Sequence, residues 1–193
     1  VYDNDNNILL GSNVASGKLR MINNLAIGNN ALQNASGTND IPLENNIAIG
    51  VNTLKDITTG NNNIGIGTFA MENITSGDGN LAIGTQSLQD TNIGNNNLAL
   101  GNLSLKQNQA GSNNIAFGKE SLTNLDRGLN NFSAGYQTMY NLISGENNIG
   151  VGNKTLYKSL TSSDNVALGY NSMLNNTIGS NNIGVGKDAL KNN

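Results

Sequence analysis

One glycine recurs along the chain at a fixed spacing, and this spacing limits the fold more than any other feature of the sequence. These turn glycines are Gly11, Gly28, Gly50, Gly67, Gly84, Gly101, Gly118, Gly135, Gly152, Gly169 and Gly186. Nine of the ten gaps are 17 residues, and the gap from Gly28 to Gly50 is 22 residues, or 17 plus five. A fixed period of this length indicates a repeat architecture in which each repeat packs against its neighbours.

An asparagine lies four residues before every turn glycine. These ladder asparagines are Asn7, Asn24, Asn46, Asn63, Asn80, Asn97, Asn114, Asn131, Asn148, Asn165 and Asn182. A mostly apolar triplet such as Ile47-Ala48-Ile49 lies between the asparagine and the glycine. The β-branched residues of the triplet, bounded by Asn and Gly, predict a short strand that ends at a residue free to adopt a positive φ.

A leucine or methionine follows the turn glycine by four residues in every repeat from the second onward. This core column consists of Leu32, Leu54, Met71, Leu88, Leu105, Leu122, Met139, Leu156, Met173 and Leu190. Many repeats add an apolar residue three positions later, as at Ile57, and then a second glycine, as at Gly60. Spacings of three and four favour one helical turn per repeat, and a second short strand is the alternative.

Together these patterns predict a mainly β protein, a parallel β-solenoid (β-roll) of about eleven 17-residue coils. Residues 1–193 would form a single repeat array, part of a longer fibre, with an irregular first coil over 1–27 and a loop insertion near 37–42. Stacking the coils would align the asparagines into a ladder in which each amide bonds its neighbour and the backbone of the turn.

Neither face of the predicted strand carries charge. If Ile47 and Ile49 face inward, then Ala48 faces outward, because alternate residues of a strand point to opposite sides. The middle position is small in every repeat from Ala26 to Gly184, and a strand that avoids charge on both faces is typical of one covered on both sides. The close approach that a small outward column allows predicts association with a second copy of the chain, and we expect a homo-oligomer, most simply a homotrimer.

Composition excludes several kinds of chemistry. The chain has no His and no Cys, so Ser-His-Asp and Cys-His catalysis and thiolate metal sites are absent. A net charge of −3 with scattered Lys and Arg does not predict nucleic-acid binding, and no apolar run approaches the roughly 20 residues that span a bilayer. Acidic residues share no constant column. We therefore predict no enzyme activity, cofactor or metal site.

The repeat resembles known fibre sequences. Asn45 to Gly50 is similar to the head repeats of trimeric autotransporter adhesins. Asn46 to Leu54, with Thr58 to Gly60, resembles more closely the Asn-x-Ala-x-Gly-x-x-Ala-Leu repeat, with a later Thr-x-Gly, of phage tail fibres and bacterial surface fibres. This resemblance implies an extracellular adhesive or structural fibre on a cell or virion surface. Such a fibre would be trimeric and would space or present a receptor-binding surface.

Four tyrosines are candidate contacts with a cell-surface glycan, a receptor or a neighbouring chain: Tyr136, Tyr140, Tyr157 and Tyr170.

Two other functions stay open. An ice-binding solenoid would use the small-residue column three after the turn glycine, which includes Ala31, Thr53, Ala70, Ser87, Thr138 and Ala189. A carbohydrate-active enzyme on a β-helix would require clustered Asp or Glu.

Overall fold

The chain folds into a parallel β-solenoid. The computed structural model describes residues 5–16, 20–37 and 40–192. Its strands are β1 Ile8–Leu10, β2 Met21–Ile22, β3 Leu25–Ile27, β4 Leu43–Glu44, β5 Ile47–Ile49, β6 Ile64–Ile66, β7 Leu81–Ile83, β8 Leu98–Leu100, β9 Ile115–Phe117, β10 Phe132–Ala134, β11 Ile149–Val151, β12 Val166–Leu168 and β13 Ile183–Val185. The predicted fold class is confirmed.

The strand triplets form one eleven-stranded parallel sheet in the order β1-β3-β5-β6-β7-β8-β9-β10-β11-β12-β13. Equivalent residues pair across successive coils, so that Leu98 lies beside Ile115 and Leu100 beside Phe117. The register is kept across the 22-residue repeat, because Ala26 lies beside Ala48. Because strands of parallel sheets lie about 4.8 Å apart, eleven coils extend for roughly 50 Å.

A turn of left-handed residues occupies the place of the predicted helical turn, and the prediction of a helical turn is wrong. In the second half of the Gly67 coil, Phe69 and Met71 both have positive φ, 59° and 51°. Hydrogen bonds from Ala70 N to Gly67 O and from Ile74 N to Met71 O, both 3.3 Å, close two successive β-turns. A right-handed helical turn cannot include such residues. The described residues contain no helix, and therefore none that could cross a membrane.

The strand faces are reversed relative to the prediction. Ala48 is fully buried, whereas Ile47 and Ile49 are partly exposed, and the same alternation holds in every strand of the sheet except β1. The reason is the thinness of the coil. A Cβ added to Gly65, the middle residue of β6, would lie 2.8 Å from Thr53 Cγ2 and 3.5 Å from Leu54 Cδ1 of the preceding coil. Only a small side chain fits between the strand and the core column, so the large residues face outward.

The five additional residues of the longer coil lie between two buried positions. Ala35 occupies the place of Ile57 in the next coil, and Leu43 occupies the place of Gly60. Leu43–Glu44 pairs with Met21–Ile22 in a separate two-stranded sheet. Residues 38 and 39 of the predicted insertion, and residues 1–4 and 17–19 of the predicted irregular first coil, lie outside the described residues.

Candidate functional site

The ladder asparagines form a continuous chain of hydrogen bonds inside the solenoid. Asn97 Nδ2 donates to Asn80 Oδ1 (3.1 Å) and to the carbonyl of Gly111 (2.8 Å). Asn97 Oδ1 in turn accepts from the backbone N (3.0 Å) and Nδ2 (3.2 Å) of Asn114. The same pattern joins Asn46, Asn63, Asn80, Asn97, Asn114, Asn131, Asn148, Asn165 and Asn182. The ladder therefore links coils and offers no free amide to a ligand.

The turn glycines stack directly on one another. Gly50, Gly67, Gly84, Gly101, Gly118, Gly135, Gly152, Gly169 and Gly186 all have φ between 117° and 142°. A Cβ on Gly101 would lie 2.5 Å from the carbonyl oxygen of Gly118. Glycine is thus needed both for its φ and for the close approach of the next coil. Both repeated site columns are structural parts of the stack.

The outward residues of the strands form a continuous apolar surface, the strand face. Its two columns are the first and the third residues of the triplets: Ile8, Leu25, Ile47, Ile64, Leu81, Leu98, Ile115, Phe132, Ile149, Val166 and Ile183, and Leu10, Ile27, Ile49, Ile66, Ile83, Leu100, Phe117, Ala134, Val151, Leu168 and Val185. None of the 22 residues is polar, and none is buried. The sequence prediction assigned Ile47 and Ile49 to the core. The large core column opposite a small middle residue could have indicated the correct orientation.

No charged residue is part of the strand face, although Lys119 and Lys187 each follow a turn glycine directly beside it. The four ion pairs between described residues are Lys55–Glu72, Lys119–Glu120, Arg127–Asp126 and Lys191–Asp188, and none includes a strand residue. Hydrogen bonds from Lys191 and then from Asn171 lower the pKa of Asp188. That group is in the last coil, is partly exposed and is not part of the strand face.

The four tyrosines do not form one site. Tyr140 and Tyr157 stack on adjacent coils, with ring centroids 5.6 Å apart and planes 15° apart. Tyr136 and Tyr170 are exposed and follow turn glycines two coils apart. Lys119 Nζ lies 5.9 Å from the Tyr136 ring centre, and Lys154 Nζ lies 5.7 Å from that of Tyr157. The structure brings together only the Tyr140 and Tyr157 pair.

The small-residue column and the acidic residues form neither an ice-binding array nor a metal site among the described residues. Thr53, Ser87 and Thr138 of the small-residue column are fully buried, so this column does not present an array to ice. Their hydroxyls bond backbone carbonyls, as when Ser87 Oγ donates to Gly84 O at 2.9 Å. Within the described ranges, no group of three or more His, Cys, Asp and Glu could hold a metal ion.

No protein-family model, curated protein sequence or solved structure matches the chain significantly. The fold itself places the chain in the class of parallel β-solenoids, and its strand face is apolar.

Proposed function

We propose that this chain is a structural segment of an extracellular fibre, in which strand faces of identical chains pack together in a homotrimer. Such a fibre would space or present a receptor-binding surface on a cell or virion. The observation that carries the proposal is the strand face itself: 22 outward positions without one polar residue. Large exposed apolar patches on soluble proteins are typical of interaction sites.

The size of the strand face supports self-association. It is three residues wide, about 10 Å, and extends for about 50 Å, so it covers on the order of 500 Å² in projection. Exposed Val51, Tyr136 and Tyr170, which each follow a turn glycine, widen it in three coils, whereas most other coils have a polar or charged residue at this position. A stable interface buries about 800 Å² on each partner. The face and its margin approach that area, and an identical chain offers an apolar partner with the same repeat.

The homotrimer, rather than a dimer, is proposed because of the resemblance to trimeric fibre repeats. The mechanical part of the proposal follows from the fold. Ladder bonds and strand pairing continue from coil to coil, so association along the whole face would join three such stacks into one rod. Variable residues on the remaining surfaces would then be free to contact a target.

We expect light scattering to give three times the mass of the chain for the unmodified protein. The double substitution Ile83→Lys and Ile149→Lys changes two strand-face residues that are each 41% exposed. It should yield folded monomers, because the new charges would be desolvated at the interface. The matched control is Ile93→Lys with Ile178→Lys, which changes two more exposed isoleucines, 53% and 72%, that lie off the strand face. The control should stay trimeric.

A monomeric unmodified chain, or equal masses for the two double variants, would contradict self-association through the strand face. If the unmodified chain is a stable dimer and only the strand-face variant is monomeric, the strand face is the interface but the homotrimer is wrong. Circular dichroism of both variants verifies that the solenoid is intact.

A further inference from the structure

A polar groove runs along the solenoid away from the strand face. One wall consists of residues six after the turn glycines, from Asn73 to Asn141, and the other of residues eight after them, from Thr75 to Leu160. The groove has a volume of about 970 Å³. We call it the amide groove, because amides are the commonest side chains in its walls.

The floor of the groove follows from the alternation of side chains. The residue between the walls points inward, and Ile74, Leu125 and Leu142 at this position are fully buried. Gln107 and Gln109 are eight and ten residues from the middle strand residue Ala99, about half of a 17-residue coil. The amide groove and the strand face are therefore on different sides of the coil, and association through the strand face would leave the groove open.

Hydrogen bonds to the backbone fix the direction of two groove amides. Asn124 Nδ2 donates to the carbonyl of Tyr140 at 2.9 Å, and Asn141 Nδ2 donates to that of Tyr157 at 2.8 Å. Each Oδ1 is then left as an acceptor without a partner among the described residues. Gln107 and Gln109 are exposed, and their side chains make no hydrogen bond within the described part of the chain. The groove thus offers fixed acceptors beside free amides that can donate or accept.

Unsatisfied polar atoms occur at this same place. Three buried side-chain oxygens among the described residues have no hydrogen-bond partner: Thr91 Oγ1, Asn108 Oδ1 and Asp126 Oδ1. They belong to three consecutive coils of the groove. Thr91 and Asn108 occupy the floor position, where three other coils of the groove have Ile74, Leu125 and Leu142, and Asp126 is part of a wall. Since such atoms cost stability, this stretch departs from the pattern that would maximise it, as functional sites often do.

The charges and backbone of the groove limit its ligand. Its walls include the carboxylates of Asp90 and Asp126, which would repel an anionic polymer. The nearby cation Arg127 is already paired, because its Nε lies 3.4 Å from Asp126 Oδ2. Backbone groups are already paired between coils, as from Gln107 N to Thr123 O at 3.0 Å, so an extended peptide finds no free strand edge. A ligand must therefore be recognised by the side chains of the groove. Their amides suit hydroxyl groups, because a hydroxyl group can both donate and accept a hydrogen bond.

We propose that the amide groove binds an extended neutral polysaccharide that lies along the solenoid axis. Hydroxyl groups would bond the amides of successive coils. The exposed side chains of Ile143 and Leu160 at one end would contact the apolar C–H faces of the sugar rings. This inference does not depend on the oligomeric state.

The test uses the full chain with dextran, laminarin and galactomannan as neutral probes, heparin as an anionic probe and unfolded casein as a polypeptide probe. We expect at least one neutral polysaccharide to bind in calorimetry or affinity electrophoresis. Replacing Gln107 and Gln109 together by Ala should weaken that binding roughly tenfold, because two hydrogen-bonding amides are lost. Asn153→Ala, at an exposed asparagine outside the groove, should bind as the unmodified chain does.

Binding of heparin or casein alone, no binding of any neutral probe, or equal affinity for the double variant and the unmodified chain would each overturn the proposal. Circular dichroism and thermal melting of the variants exclude loss of fold as the cause. Light scattering on the same samples keeps this result separate from that of the trimer experiment.

Discussion

Replacing Asn97 by Asp in the middle of the ladder is expected to destabilise the protein by about 4 kcal/mol or more at neutral pH. Asn97 Nδ2 donates to Asn80 Oδ1 and to Gly111 O, at 3.1 and 2.8 Å. Asp has nearly the same shape, but a carboxylate oxygen would face these two acceptors and would repel them. The change also buries an unpaired charge. Thermal and denaturant unfolding, followed by circular dichroism, measure the loss.

The loss should be smaller in acid. Burial and the facing acceptors favour the protonated carboxyl, so the folded state binds the proton more tightly than the unfolded state does. The stability deficit therefore grows as pH rises above roughly 4 and shrinks as pH falls. Asn153→Asp is the matched control, since Asn153 is exposed and its side chain makes no hydrogen bond to described residues. If the two variants melt within a few degrees of each other at neutral pH, the ladder does not stabilise the stack.

Replacing Gly101 by Ala is expected to cost about 3 kcal/mol or more, because the substitution opposes both the turn and the stack. The φ of Gly101 is 142°, and the new Cβ would lie 2.5 Å from Gly118 O and 2.6 Å from Gly118 C. The backbone of the next coil would have to move, which would weaken pairing between β8 and β9. The unfolding midpoint should fall accordingly.

Gly186→Ala separates the two causes. Gly186 has a comparable φ of 124°, but a Cβ there meets no described atom within 4 Å. Its cost should be limited to backbone strain of about 1–2 kcal/mol. Equal destabilisation by the two substitutions would show that φ alone requires glycine and that the close stacking of coils has no energetic consequence.

The periodicity predicted the solenoid and its parallel register, because identical residues seventeen apart can hydrogen-bond and pack with one another only if the coils stack. It did not predict the direction of the strand faces. Alternation states that Ile47 and Ala48 face opposite sides but not which side is the core. That depends on how closely Leu54 approaches the strand across the coil, a tertiary distance.

The left-handed turn and the amide groove could not be predicted from the sequence, for physical reasons. Left-handed residues such as Met71 give apolar spacings of three and four like those of a helix, so spacing cannot separate them. The amide groove has no constant residue type. Asn73 and Gln107 become neighbours along one wall only after coils stack, and no single repeat contains the groove.

The pairing of each coil only with the coil before and the coil after it determines how the protein responds to tension. In an axial pull, the inter-coil hydrogen bonds lie along the force, so a coil at a loaded end separates while the remainder stays intact. Each separated coil releases 17 residues, which extend to about 58 Å at roughly 3.4 Å per residue. The stack would therefore lengthen in discrete increments and would dissipate a sudden load stepwise.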